Sequence, residues 1–326
     1  MTSIAHYNLL ERIGEGGIGE VYRARDTKVG RTVAIKIVGP AIAGDATRLA
    51  KLLEDARAAM VLSHPNVATL FDVGEADGVH YLAYEFAAGR TLREECGGAP
   101  MNPRRAVDIA VQMADGVVNA HAHGIVHGDL RPDTVIITAK GSAMVLDFGL
   151  TDWTKGGAIR ARAAGSMGSL PDDTVPVVAY LSPEQALGHS IDERSDVFTL
   201  GTLTYEMLTG RNPFAAPTAM ETVLNVVRGV AVPPSEANPG VPKDFDAILA
   251  RAMTPDLDRR LQSAASFAAE LRSVGAVLDV RTGEAVHAPD VLPLDDKPDR
   301  DASILLASAL IAAAAAAAAV WWWLSR

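Results

Sequence analysis

The sequence predicts an α+β fold, β-rich at its N-terminal end and helical beyond, followed by a C-terminal single transmembrane helix. Three observations predict it. Tyr7–Ile13, Glu20–Ala24 and Thr32–Val38 are short runs of β-favouring residues, the first two separated by a glycine-rich stretch. Asp45–Leu62 and Arg104–His123 repeat apolar residues at helical spacing. Ser303–Leu324 contains no charged residue, the pattern of a segment that spans a bilayer.

The chain has 326 residues, 48% of them hydrophobic, enough for two ordinary domains or for one bilobal unit with a tail. A net charge of −10 argues against general nucleic-acid binding, so no nucleic acid is expected as a partner. The single cysteine, Cys96, can form no internal disulfide, which fits a reducing compartment. Met1–Leu10 lacks the apolar core of a secretory signal.

Taken in order, the glycines of Gly14-Glu-Gly-Gly-Ile-Gly19 let the backbone turn tightly and lie close over phosphates. In a dinucleotide fold such a run opens a helix; here β-favouring Glu20-Val-Tyr-Arg-Ala24 follows, so a hairpin flap is expected. Thr32–Val38 carries Lys36 inside an apolar run, and a buried lysine needs a partner. The helix over Asp45–Leu62 offers Glu54 and Asp55, and Ser63-His-Pro65 ends it. Ile125–Thr134 sets Asp129 among apolar residues, two after His127 and two before Arg131. Asp147-Phe-Gly149 begins eighteen residues later. Two carboxylates in short, stiff segments suit metal-phosphate chemistry, one accepting a proton from an attacking hydroxyl and the other holding a divalent cation.

Seven pieces in this order resemble a bacterial serine/threonine protein kinase of the eukaryotic-like, or Hanks, type. They are Gly14/Gly16/Gly19 with Val21, Val33-Ala-Ile-Lys36, His127-Gly-Asp129, Asp147-Phe-Gly149, Ser182-Pro-Glu184, Asp196 with Gly201, and Arg259. The resemblance covers about Tyr7 to Val274. It implies a bilobal protein-kinase fold over 7–274, with the N-lobe at about 7–86 and the C-lobe at about 88–274. It also implies ATP with Mg²⁺ or Mn²⁺, and a protein substrate. Ile13, Gly14, Gly16 and Gly19 would lie over the nucleotide, and Val21, Ala34, Ile136 and Leu146 would line the adenine slot. Tyr84 would be the gatekeeper, with Glu85 to Ala87 offering backbone groups to adenine. Lys36, paired with Asp55 or Glu54, would hold the α and β phosphates. Asp147 and Thr134 would be the metal ligands. Asp129 would accept the hydroxyl proton, with Arg131 beside it. Glu184 and Arg259 would form a structural ion pair.

The sequence departs from the family pattern at several of these positions. Asp55 stands where a glutamate is usual and is one methylene shorter. Gly128 replaces the arginine that pairs with a phosphorylated activation loop. Arg131 replaces a lysine and keeps its charge. Thr134 replaces the asparagine that binds a second cation, and a hydroxyl is a weaker ligand than an amide carbonyl. Pro176-Val177 stands where Gly-Thr is usual before Ala179-Tyr180. A membrane-anchored protein kinase is the expected function. A pseudokinase that binds nucleotide and signals by shape is the alternative. A small-molecule phosphotransferase, whose loop the His-Gly-Asp run also resembles, is opposed by Ser182-Pro-Glu184 and the Asp196 helix.

Beyond the domain, Gly275–Ala302 holds seven acids, three bases and three prolines, and reads as an extended acidic linker. Ser303–Leu324 as a helix would run roughly 33 Å, with Trp321–Trp323 at an interface. Because ATP is cytoplasmic, a single-pass protein of the cell (inner or plasma) membrane is expected, its kinase domain in the cytoplasm. With Ser325 and Arg326 beyond the span, no sensor domain is expected outside. A homodimer through the alanine face is conceivable, since small residues let helices approach closely.

Overall fold

Period-two burial builds the N-terminal lobe. The computed structural model, which describes residues 2–153, 157 and 171–282, sets six strands in one antiparallel sheet. These are β1 (Ser3–Ile4), β2 (Tyr7–Glu15), β3 (Glu20–Asp26), β4 (Thr32–Ile37), β5 (Leu70–Ala76) and β6 (Val79–Glu85), ordered β1-β2-β3-β4-β6-β5. Alternate residues of a strand face opposite sides. Val33, Ile35, Tyr81 and Ala83 therefore join Tyr7 and Ala24 in one apolar layer. Leu82 and Tyr84 face the other side, against Leu52 and Ala56. Lys36 pairs in register with Leu82 and Ala34 with Tyr84, which puts both on this second face.

Between β4 and β5 run α1 (Pro40–Ala43) and α2 (Ala46–Ala59). The Asp45 side chain caps α2, accepting from the backbone N–H groups of Thr47 and Arg48. Leu52, Ala56 and Ala59 are buried along its inner stripe.

The second lobe opens with β7 (Gly89–Thr91), α3 (Leu92–Cys96) and α4 (Pro103–His121). The strands β8 (Val135–Thr138) and β9 (Ala143–Val145) complete a three-stranded sheet ordered β7-β8-β9. Short helices α5 (Val175–Val178) and α6 (Pro183–Ala186) lead to α7 (Glu193–Thr209). Then come α8 (Ala219–Arg228), α9 (Pro234–Ala237), α10 (Asp244–Ala252) and α11 (Ala264–Thr282).

The centre of this lobe is α7, which is buried nearly all round and so needs no amphipathic stripe. Its threonines are tolerated because their hydroxyls turn inward on the helix. Thr202 donates to Phe198 O (3.0 Å), Thr204 to Leu200 O (2.7 Å) and Thr209 to Tyr205 O (2.9 Å). Asp192 caps its start, and Gly210, at φ 76°, ends it in the left-handed conformation.

The domain extends further than its composition suggests. The acidic linker was expected from Gly275, but α11 continues to Thr282. Val274 and Leu278 are buried, Asp279 accepts from Arg104 Nε (2.6 Å), and Arg281 bonds Asp244 (2.9 Å). These contacts hold residues 275–282, the first part of the expected linker, as helix. Among the described residues no helix is long and apolar enough to cross a membrane. The expected span at 303–324 and the linker beyond 282 lie outside the described residues.

Candidate active site

A cleft of about 820 Å³ opens against the second face of the N-terminal sheet. Ile13, Gly14, Gly16 and Val21 of the β2–β3 hairpin line it, with Ala34 and Lys36 of β4. Tyr84, Glu85, Phe86 and Ala87 form its back and connecting edge, and Ile136 and Leu146 its other apolar wall. Asp147, Thr134 and Arg131 gather at one end. The buried Tyr84 hydroxyl has no hydrogen-bond partner among the described residues. Burial, with the charge of Asp147 adding to it, pushes that phenol well above its ordinary range, so it stays a neutral donor. An apolar slot with a few polar groups converging at one end fits a nucleotide.

Three predicted residues do not line the cleft. Gly19, at φ 147°, holds the hairpin against β4, where an added Cβ would lie 2.0 Å from Ile37 O. Beside it, Gly39 N donates to Ile18 O (2.7 Å), and Ile18 is buried in the α2-facing apolar cluster. The glycine is required here for close backbone approach rather than as a wall of the cleft. Asp129 lies behind Arg131, only 4% exposed.

Asp55 is the third and corrects an expectation. Lys36 pairs with Asp147, not with α2. Asp55 instead accepts from Lys51 Nζ (2.6 Å) and from the Trp153 indole N–H (3.0 Å). Lys51 sits one helical turn earlier on the same face, within easy reach of a short side chain. Glu54 is exposed on the outer face of α2. A second correction concerns the structural ion pair: Glu184 bonds Arg260 (2.8 and 3.1 Å), not Arg259.

The Ile125–Thr134 loop is fixed by α7. Asp196 accepts from His127 N (2.8 Å), Gly128 N (2.8 Å) and His121 Nε2 (2.7 Å). His127 Nε2 donates to Leu146 O (2.8 Å), which leaves Nδ1 to accept from Asp129 N (3.1 Å). Phe148 packs edge-on against the same imidazole, 4.7 Å between centroids. Asp147 itself sits at φ 69°, a conformation that aspartate tolerates better than most residues.

Two departures gain physical accounts. Thr134 Oγ1 accepts from Arg131 N (2.9 Å) and donates to Arg131 O (3.0 Å). Its hydroxyl serves the loop, so of the two expected metal ligands the donor chemistry favours Asp147. Gly128 has φ 63°, and a Cβ there would meet the Thr151 methyl at 2.4 Å. Thr151 cannot easily yield, since its hydroxyl donates to Val126 O (3.1 Å) and His127 O (2.8 Å). Gly128→Arg is therefore expected to lower stability by about 1–3 kcal/mol rather than to restore a phosphate site. Thermal unfolding of the full chain checks this; an unchanged Tm would show that the loop relaxes.

Arg131 clamps Asp129 with two bonds, Nε to Oδ1 (3.0 Å) and Nη2 to Oδ2 (3.1 Å). The cleft wall also includes Ala68, Arg93, Asp133 and Asp173, which the sequence did not single out. Asp133 lies within the loop already recognised, two residues past Arg131. Arg93 carries no motif and reaches the cleft only through the fold.

A family model described as protein kinase domain matches residues 7–270. Among curated relatives, serine/threonine-protein kinase PknB of Mycobacterium tuberculosis is 34% identical over 321 residues, covering 95% of this chain and 48% of the relative. A probable serine/threonine-protein kinase PknB of Bifidobacterium longum is 36% identical over 279 residues, covering 81% of this chain and 39% of the relative. The chain thus spans about half, or less, of the length of these relatives. The crystal structure of the M. tuberculosis PknI kinase domain superposes with a TM-score of 0.65 at 21% identity, covering 83% of this chain and 96% of that one. That likeness establishes the bilobal fold.

Proposed function

The chain belongs to the protein kinase domain family, and on that premise we propose that it transfers the γ-phosphate of ATP to serine or threonine hydroxyls of proteins. The observation that carries this reading is one cleft lined by Lys36, Asp147 and Arg131, with Lys36 paired to Asp147 and Asp129 held behind Arg131. Bound ATP with Mg²⁺ or Mn²⁺ would supply the phosphoryl group and neutralise its charge. Asp147 is the residue to hold the cation, and Lys36 the one to hold phosphate. Asp129 orients the substrate hydroxyl and takes its proton. The uncharged segment 303–324 supports anchoring in the cell membrane with the kinase domain on the cytoplasmic side.

The full chain incubated with γ-labelled ATP and Mg²⁺ or Mn²⁺ is expected to label itself or an added protein. Asp147→Asn is expected to lose at least about a hundredfold of that rate, since electrostatic neutralisation carries most of this chemistry. Wild-type transfer no greater than that of the variant would overturn the reading. A nucleotide-binding scaffold is the second reading. It is favoured by Asp55, which faces Lys51 and Trp153 instead of Lys36. A rise in Tm on adding ATP without any transfer would select it.

A further inference from the structure

Beside the Ile125–Thr134 loop, Arg93 pairs with one carboxylate and lies near a second. Arg93, on the short helix α3, donates to both oxygens of Asp133 (2.7 and 2.8 Å). Its guanidinium carbon lies 6.0 Å from the centroid of the Tyr180 ring. The Tyr180 hydroxyl donates to Glu206 Oε2 (2.6 Å), so Glu206 of α7 completes the group. Burial raises the Glu206 carboxyl, while Tyr180 and the nearby Arg93 charge oppose the rise. The bonds from Arg93 hold Asp133 below its usual range. Both members of the Arg93–Asp133 pair line the cleft and remain 42% exposed.

Its two-bond geometry at 42% exposure gives the pair at most a modest share in stability, so fold maintenance alone does not account for it. Its location does: Asp133 also lies 3.6 Å from Arg131, the residue that clamps Asp129. A polypeptide presenting a hydroxyl to Asp129 must pass close to this pair. Two carboxylates and a tyrosine face form a site for a basic side chain, and Arg93 already fills it from within.

We propose that Arg93 is a specificity-determining residue: as a built-in cation in the Asp133–Tyr180–Glu206 site, it turns away protein substrates that are basic near the accepting hydroxyl. This inference rests on the kinase reading for its biological meaning, but its geometry can be tested by binding alone. Removing Arg93 opens an acidic subsite and reverses the preference. Lysine at the same position keeps a cation there and keeps the preference.

The test uses the full chain and fluorescent serine peptides that differ only by arginine, alanine or glutamate at each position around the serine. Equilibrium binding and label transfer from ATP are measured separately. In the wild type, arginine is expected to bring no gain at any position. In Arg93→Ala, arginine at one position is expected to tighten binding about tenfold, and Arg93→Ala with Asp133→Asn is expected to lose that gain. Arg93→Lys should match the wild type. A gain in binding without transfer in any variant sustains the subsite and sinks the kinase reading. An unaltered binding profile in Arg93→Ala, with or without transfer, overturns the subsite. So does a gain that survives Asp133→Asn.

Discussion

Replacing Arg260 by leucine is expected to destabilise the domain by about 3–5 kcal/mol, the usual cost of leaving one partner of a buried ion pair alone. For a domain of this size that is a fall in Tm of roughly 6–15 °C. Arg260 has a side chain 0% exposed, pairs with Glu184, and donates to Arg194 O (2.9 Å) and Thr254 O (2.9 Å). Its guanidinium also lies 5.1 Å from the Phe198 ring centroid. Leucine would abandon a buried carboxylate and two carbonyls together. Arg259→Leu, one residue away, is expected to leave Tm within a degree or two, since its surface position carries none of these bonds. A double variant, Arg260→Met with Glu184→Met, should recover much of the loss, because the uncompensated charge is then gone.

The pH dependence of that effect has a definite sign. Burial alone would raise the Glu184 carboxyl, but the bonds and charge of Arg260 outweigh it and hold the group below the usual range. A depressed carboxylate contributes stability that is present above its unfolded pKa and lost as pH falls through the folded one. Without Arg260, burial is opposed by the Ser195 hydroxyl bond (2.6 Å) and a backbone hydrogen bond alone, and the carboxyl moves up. Protonation then relieves the variant while it costs the wild type. The Tm difference is therefore widest near neutrality and narrows as pH falls towards the unfolded glutamate range.

This pair also shows where sequence reasoning stops. Seven ordered motifs were enough for the bilobal fold and for most of the cleft wall, because Gly14, Lys36 and Asp147 sit in short segments whose spacing the chemistry restricts. Arg259 and Arg260 are adjacent, and only the turn before α11 decides which of them points inward. Asp55 was a matter of helix rotation, settled by Lys51 on its own helix and by Trp153 from a segment 98 residues away. Arg93 was invisible for a similar reason, since its partners Asp133 and Tyr180 lie far along the chain. Gly128 was legible as a missing arginine, but its left-handed backbone and the Thr151 methyl that fills the space were not.

The largest functional effect is expected at Asp129. Asp129→Asn keeps the shape of the side chain and its place behind Arg131, so the ATP-induced rise in Tm should persist. Label transfer should fall by about 10²–10⁴-fold, the range for loss of a positioned proton acceptor. Arg131 sharpens the expectation. In the structure both carboxylate oxygens of Asp129 are bonded to one guanidinium fork. Each oxygen keeps a further lone pair for a substrate hydroxyl, but the planar fork fixes how the carboxylate is turned towards it. Arg131→Lys keeps the positive charge but replaces the rigid fork with a single flexible ammonium, which cannot hold the two oxygens in the same planar way. Its kcat is therefore expected to rise severalfold over wild type, with the loss from Asp129→Asn undiminished in the lysine background. If the lysine variant instead slows transfer as much as Arg131→Ala does, the fork is needed on the phosphate. The clamp on Asp129 would then be a resting contact that the bound nucleotide dismantles without cost.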